Sequence, residues 1–240
     1  MKVIKEIVES MISASNVNPT EIYNEGWMTR LLMYYSVKEK LSFKGIDFTN
    51  KYWTSEALIS SPFVSAKSKR EGYTHPDIAI GNFTVKYTVS GRLMVDENAK
   101  MFGIIEAKMK SDLSPGTENA KGFNHASRNV ACIAHNTTKE CETFFYVVLP
   151  KSKRDHKKRD GTTIKDLVNI DTIGEQITDR VKSHNNTNED QIDTNLIERV
   201  KQCKVEVITY EDWIKAFNDN KIKEELNEFY DKCKIHNKIK

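Results

Sequence analysis

Two short apolar runs constrain this chain more than any other feature. Residues 102–107 and 143–149 each hold too few residues for an ordinary helix, and both are rich in β-branched and aromatic side chains. Runs of that length and composition read as buried strands, the second as the better candidate for a central one. Between them, 119–135 has helical periodicity after the break at Pro115-Gly116.

The rest of the chain supplies layers for such a sheet. Asn18-Pro19-Thr20-Glu21 has the form of a helix start, and Ile22, Trp27, Leu31, Leu32, Tyr34 and Tyr35 follow on roughly one face, to about Leu41. Residues 43–73 are irregular and read as a long loop with one short helix. At 77–80 the period becomes strand-like. Gly81-Asn82 signals a tight turn, 83–87 alternates, and 92–95 extends the sheet. Further on, 164–181 and 192–201 read as helices, 205–208 as a strand, 211–217 as a helix start, and 221–240 as a charged helix. The expected class is α/β, a central mixed sheet flanked by helices, in one domain over 1–240.

Composition narrows the function classes. Hydrophobic residues are 38% and charged residues 30%, the profile of a soluble globular protein. No apolar run approaches the roughly 20 residues that cross a bilayer. Residues 1–15 are interrupted by Lys5, Glu6 and Glu9, so they read as an amphipathic helix rather than a leader. Cys132, Cys141, Cys203 and Cys233 form no C-x-x-C pair and are expected to be buried, reduced thiols, which fits a cytoplasmic protein. The formal charge of +3 argues little for a polyanionic partner. Its distribution argues more: Lys151, Lys153, Arg154, Lys157, Lys158 and Arg159 cluster around His156, as a solvated loop or a nucleic-acid contact.

The chemistry-bearing residues are Pro76-Asp77 and, after 28 intervening residues, Glu106-Ala107-Lys108. On an extended strand Glu106 and Lys108 point to one face and Ala107 to the other. A charged pair where an apolar strand ends is costly unless it is paired or binds something. Two adjacent strands would bring Asp77 to Glu106. Hard carboxylate oxygens suit magnesium, which keeps waters and takes substrate phosphate. Lys108 could then stabilise developing charge, orient a water, or act as a base with a depressed pKa. Singly, each residue has a bland account. Asp77 suits a loop-to-strand turn, Glu106 and Lys108 a surface ion pair, and Glu25 a solvated helix carboxylate. Glu56 and Glu71 read as solvated loop residues, and Trp27, Trp53 and Trp213 as packing residues. His75, His125 and His135 lack zinc-site spacing.

Together, Pro76-Asp77 and Glu106-Ala107-Lys108 resemble the signature of the PD-(D/E)XK, or restriction-endonuclease-like, nuclease superfamily. The resemblance takes in an acid on an upstream helix, a hairpin between the motif halves, a helix after the lysine strand and the strand–helix pair at 205–217. Thr54-Ser55-Glu56-Ala57, the stretch from Glu71 to Asp77, and Ala131-Cys132-Ile133-Ala134 are similar to a bacterial branch of it without an assigned substrate. The resemblance implies metal ligation by Asp77 and Glu106, with the Ala107 carbonyl adding a contact and Glu25 assisting. It implies Lys108 as the catalytic lysine. Where many members carry a helix glutamine, this chain has His125, and Arg128 one turn on could contact phosphate. The implied activity is magnesium-dependent phosphodiester hydrolysis, with manganese as a substitute, acting on nucleic acid and foremost double-stranded DNA. A homodimer would suit paired cuts on antiparallel strands. The rivals are a ribonuclease and an inactive binding module on the same fold.

Overall fold

The computed structural model describes residues 18–66, 70–87, 91–114, 116–117, 120–157, 161–187 and 190–239, together with Glu6, Glu9 and Ser10. Lys158, Arg159 and most of the 1–15 stretch lie outside the described residues.

Five strands form the central sheet: β1 (Tyr52–Thr54), β2 (Ile78–Gly81), β3 (Met101–Ala107), β4 (Glu142–Leu149) and β5 (Lys204–Thr209), in the spatial order β5-β4-β3-β2-β1. β1 and β2 pair antiparallel, as do β2 and β3, whereas β3, β4 and β5 run parallel. The expected α/β class with a mixed, helix-flanked sheet is what the chain forms. Parallel neighbours need a crossover, and α2 (His125–Asn136) supplies it between β3 and β4.

Helices cover both faces. On one, α1 (Glu25–Lys38), α5 (Tyr210–Ala216) and α6 (Asn220–Asn237) pack Leu32, Trp213 and Leu226 against Ile78, Ile105, Tyr146 and Val148. On the other, α2, α3 (Ile170–Asn185) and α4 (Asn195–Gln202) pack Val130, Ile177 and Val200 against Ala79, Ile104, Phe145 and Val147. This double cover explains why β3 and β4 read as continuous apolar runs rather than alternating ones. Each fully buried Phe, Ile or Val there contributes about 1.5–3 kcal/mol.

Several local expectations change. β1 lies inside the stretch read as irregular, too short for its alternation to register. No helix forms among the described residues of 43–73; instead Ser42–Phe43 and Ile46–Asp47 make a small hairpin. Gly81-Asn82 is no hairpin turn. Gly81 has φ +139, and a Cβ there would sit 2.2 Å from the Met101 carbonyl, so glycine lets the chain leave the sheet hard against β3. Phe83–Lys86 and Arg92–Val95 then pair with each other in a separate two-stranded sheet, which is the hairpin expected between the motif halves. The helix expected from 119 begins only at His125, because Gly122 has φ +85 and the Asn124 side chain caps Ser127 N at 2.9 Å. The 164–181 helix splits into Ile164–Leu167 and α3, where Asn169 caps the second piece. Trp213 is fully buried, but Trp27 is 44% exposed and so is not a core residue.

The topology singles out one end of the sheet. The C-terminal ends of β1, β3, β4 and β5 and the N-terminal end of β2 meet there. The strands follow one another across the sheet in chain order, and at β3 the pairing changes from antiparallel to parallel, so the residues just before β2 and at the end of β3 lie side by side at this end.

Candidate active site

Glu106 and Lys108 leave β3 on the face that looks toward α2, while Ala107 packs into the opposite core, as their spacing requires. Antiparallel pairing of Ile78 with Ile105 sets Asp77 beside Glu106. Asp77 Oδ2 accepts a 2.7 Å hydrogen bond from the Ala107 backbone N–H. The Lys108 amine donates to Glu106 Oε1 at 2.6 Å and to the Ala107 carbonyl at 3.0 Å. Glu25 reaches the same end from the first turn of α1, where Asn24 caps the helix, and its Oε2 accepts from Met109 N at 2.6 Å. His125, the first residue of α2, brings Nε2 to 3.1 Å from Glu106 Oε1. Five of the sequence-expected residues, with the Ala107 backbone, therefore converge.

The electrostatics are unbalanced. Glu25, Asp77 and Glu106 face the single lysine. Burial, then the charge of Glu106, pushes the Asp77 carboxyl up to about 7. Burial also acts to raise Glu106, but His125 and Lys108 outweigh it and hold that carboxyl below its ordinary value. For Lys108, burial pulls the amine down, yet the charges of Glu106, Asp77 and Glu25 prevail and raise it. Lys108 is thus kept as the cation, and these neighbours do not support the version in which it sheds its proton to act as a base.

The donor set can be tested against a metal. Glu106 is only 3% exposed, and its Oε2 is buried without a hydrogen-bond partner. His125 Nε2 is likewise buried with no hydrogen bond in line. An orphaned carboxylate oxygen beside a second carboxylate is the environment that a cation satisfies. Among the described residues no group of three or more His, Cys, Asp or Glu side chains is arranged to hold an ion. Magnesium takes one or two carboxylates plus water and phosphate, so Asp77 and Glu106 are the residues that would hold it.

Other expected residues have different jobs. Arg128 is no free phosphate contact: it donates to the Tyr73 carbonyl at 3.0 Å and faces Glu71 at 4.0 Å, fixing the chain that leads to Asp77. Glu71, expected in solvent, is buried and paired with Arg180 at 3.0 Å. In the basic segment, Lys151–Arg154 forms a short helix off the end of β4. Lys153 is spent on the carbonyls of Lys110 and Ser111, both at 2.8 Å, and on Asp112 at 3.1 Å. Arg154 pairs with Asp155 and Asp212. Those two cations act as local clamps, whereas Lys151, His156 and Lys157 are exposed. His75 and His135 are exposed and form no part of the site. All four cysteines are buried and unpaired, and burial pushes the Cys132, Cys203 and Cys233 thiols up to about 12.

Sequence reading missed Tyr210. Burial, at the start of α5 beside Thr29, pushes its hydroxyl well above its ordinary value, and the nearby charges of Glu25 and Asp77 add to this. Nothing in its local pattern distinguishes it from an ordinary core tyrosine.

Among known proteins, no family model, no curated protein and no solved structure matches this chain. Among the described residues, no helix is long and apolar enough to cross a membrane.

Proposed function

We propose that this chain is a magnesium-dependent nuclease with a restriction-endonuclease-like core, hydrolysing phosphodiester bonds in DNA. The observation that carries this reading is the meeting of Asp77, Glu106 and Lys108 at one end of the sheet, with Glu106 Oε2 buried and unpartnered.

Asp77 and Glu106 would hold the ion, with the Ala107 carbonyl and Glu25 close enough to support it. Bound magnesium, or manganese in its place, would supply Lewis-acid polarisation of the phosphodiester. The chain's own groups do the rest. The Lys108 ammonium, fixed by Glu106, is available to stabilise negative charge that builds on the phosphoryl oxygens. His125 meets the same Glu106 oxygen as Lys108, Oε1, and helps restrict that carboxylate to one orientation. Exposed Lys151 and Lys157 stand next to this end of the sheet and can meet the DNA backbone.

The test is cleavage of plasmid and of structured RNA, with magnesium or with chelator, by wild type, Asp77→Ala and Lys108→Ala. Magnesium-dependent nicking of plasmid is expected, and Lys108→Ala should cut about 10²–10³-fold more slowly with its fold retained. Cutting by Lys108→Ala at the wild-type rate would remove that residue from the mechanism. Cutting of RNA alone would make the chain a ribonuclease.

A second reading has its own support. Lys108 occupies Glu106 Oε1 at 2.6 Å, an ion pair that could close the site permanently. On that reading the chain is an inactive nucleic-acid- or partner-binding module. DNA binding with no magnesium uptake by calorimetry, and no cleavage, would favour it.

A further inference from the structure

The large exposed aromatic rings of the described residues all precede β3 in the chain, and three of them flank one segment, 54–58. Trp27, Tyr34, Tyr52, Tyr73 and Tyr87 are 44, 51, 72, 36 and 74% exposed. Single exposed apolar residues are ordinary, but these rings share two further properties.

First, three of them carry a cation. Arg30 lies 5.7 Å from the Trp27 ring centroid, Lys38 lies 5.9 Å from that of Tyr34, and Arg92 lies 5.6 Å from that of Tyr73. Second, three of them are tied to the segment at 54–58 that borders the candidate site. Arg30, beside Trp27, donates to Ser55 Oγ at 3.0 Å, and the Tyr87 hydroxyl lies 3.2 Å from Thr54 Oγ1. Leu58 bridges to Arg92, which covers Tyr73. From the same segment Glu56 N donates to the Pro76 carbonyl at 3.1 Å, one residue before Asp77.

Flat rings backed by guanidinium groups are what unpaired bases stack on. A duplex keeps its base faces inside its own stack and offers mainly phosphates to such a surface. Charge alone does not explain these rings, since Arg30 is already matched by Glu56 at 3.5 Å. We infer that the rings around 54–58 bind unpaired bases of a DNA strand next to the phosphate being cut. The preferred substrate is then DNA with a single-stranded stretch, such as an overhang or a gap, cut faster than the uninterrupted duplex of a plasmid. This inference rests on the nuclease reading, whose site it borders.

The test is equilibrium binding of the full chain, with calcium in place of magnesium, to short labelled oligomers. These are oligothymidylate, the same length of abasic phosphate backbone, a blunt duplex and oligouridylate. Oligothymidylate should bind roughly tenfold tighter than the abasic strand and the duplex. Trp27→Ala and Tyr87→Ala should each shrink that preference about fivefold or more, Trp27→Phe should restore most of it, and thermal melts should show all variants folded. Equal affinity for thymidylate and abasic backbone would overturn the inference, as would a preference indifferent to both alanine variants. Tighter binding of oligouridylate would overturn the assignment to DNA. Magnesium-dependent cleavage without a thymidylate preference removes this inference alone. Thymidylate preference without cleavage under magnesium or manganese instead removes the nuclease reading, and with it the claim that a scissile phosphate lies alongside.

Discussion

Two glutamates in this protein are buried almost equally, Glu106 at 3% exposure and Glu71 at 4%, and each has an Oε2 without a hydrogen-bond partner. Their surroundings are opposite. Glu71 stands between Arg180 at 3.0 Å and Arg128 at 4.0 Å, and Arg180 also lies 4.2 Å over the Phe63 ring. One carboxylate there answers two guanidinium groups. Glu106 shares its corner with Asp77 and Glu25 and is answered by Lys108, with His125 alongside. In the first cluster protein cations more than match the carboxylate, and the pairings tie α2 and α3 to the chain leading into β2. The second carries more negative charge than its partners neutralise. Burial by itself therefore marks neither cluster as functional. The sign of the charge separates them: an acidic surplus at a strand end is the condition under which the proposed magnesium would bind.

The largest effect should come from breaking the first cluster. Glu71→Ala removes the carboxylate that Arg180 meets at 3.0 Å, and breaking a buried ion pair by deleting one partner costs about 3–5 kcal/mol. Chemical denaturation should show that loss, and magnesium should not restore it. A loss below about 1 kcal/mol, or recovery in magnesium, would mean that the two glutamates do not differ in the way described.

How far the sequence announced this contrast depends on where each partner sits in the chain. Glu106 and Lys108 are two residues apart on a strand whose apolar run is visible by itself, so their shared face was legible. So was the neighbouring strand carrying Asp77. Glu25 was placed by resemblance, since no spacing connects a helix residue to Met109 N so far down the chain. Glu71 was misread as solvated because its main partner, Arg180, is 109 residues away on another helix, and a lone glutamate in a polar loop gives no hint of it. β3 and β4 were legible because helices cover both their faces. β1 was not, being three residues long at an edge. Trp27 was misplaced because it fits the apolar period of α1 approximately, and only the contact of Arg30 with Ser55 shows that its side of the helix borders the surface.

The charge surplus can also be examined through pH, with a comparable expected effect. Burial and Glu106 hold the Asp77 carboxyl up to about 7 in the folded, metal-free protein, whereas in the unfolded chain it ionises near about 4. Between those values the folded state keeps a proton that the unfolded state has released, so this group's contribution to stability declines as pH rises and levels off above about 7. Asparagine at this position does not titrate. In chelator, Asp77→Asn should be more stable than wild type by about 4 kcal/mol at pH 8, a difference that shrinks toward pH 4. Magnesium should narrow the gap at pH 8 by stabilising the wild type. If denaturation gave the two proteins parallel pH profiles, the site would not be the strained member of the pair.

The smallest effect separates cations already matched within the fold from those left to solvent, the same distinction carried to the basic segment. Lys153 is held by Asp112 and two carbonyls, whereas Lys157 is exposed. A lysine that meets phosphate releases counterions on binding, and its loss flattens the salt dependence of DNA affinity by about one unit of slope. Lys157→Ala should do this and weaken binding a few-fold near physiological salt. Lys153→Ala should leave the slope nearly unchanged, because its ammonium is already neutralised in the free protein, and should instead loosen the chain just beyond Lys108. Titrations of a short DNA at several salt concentrations would show it. Equal slopes for wild type and Lys157→Ala would detach the basic segment from DNA altogether, and a larger change from Lys153→Ala would mean that its clamp opens to reach the backbone.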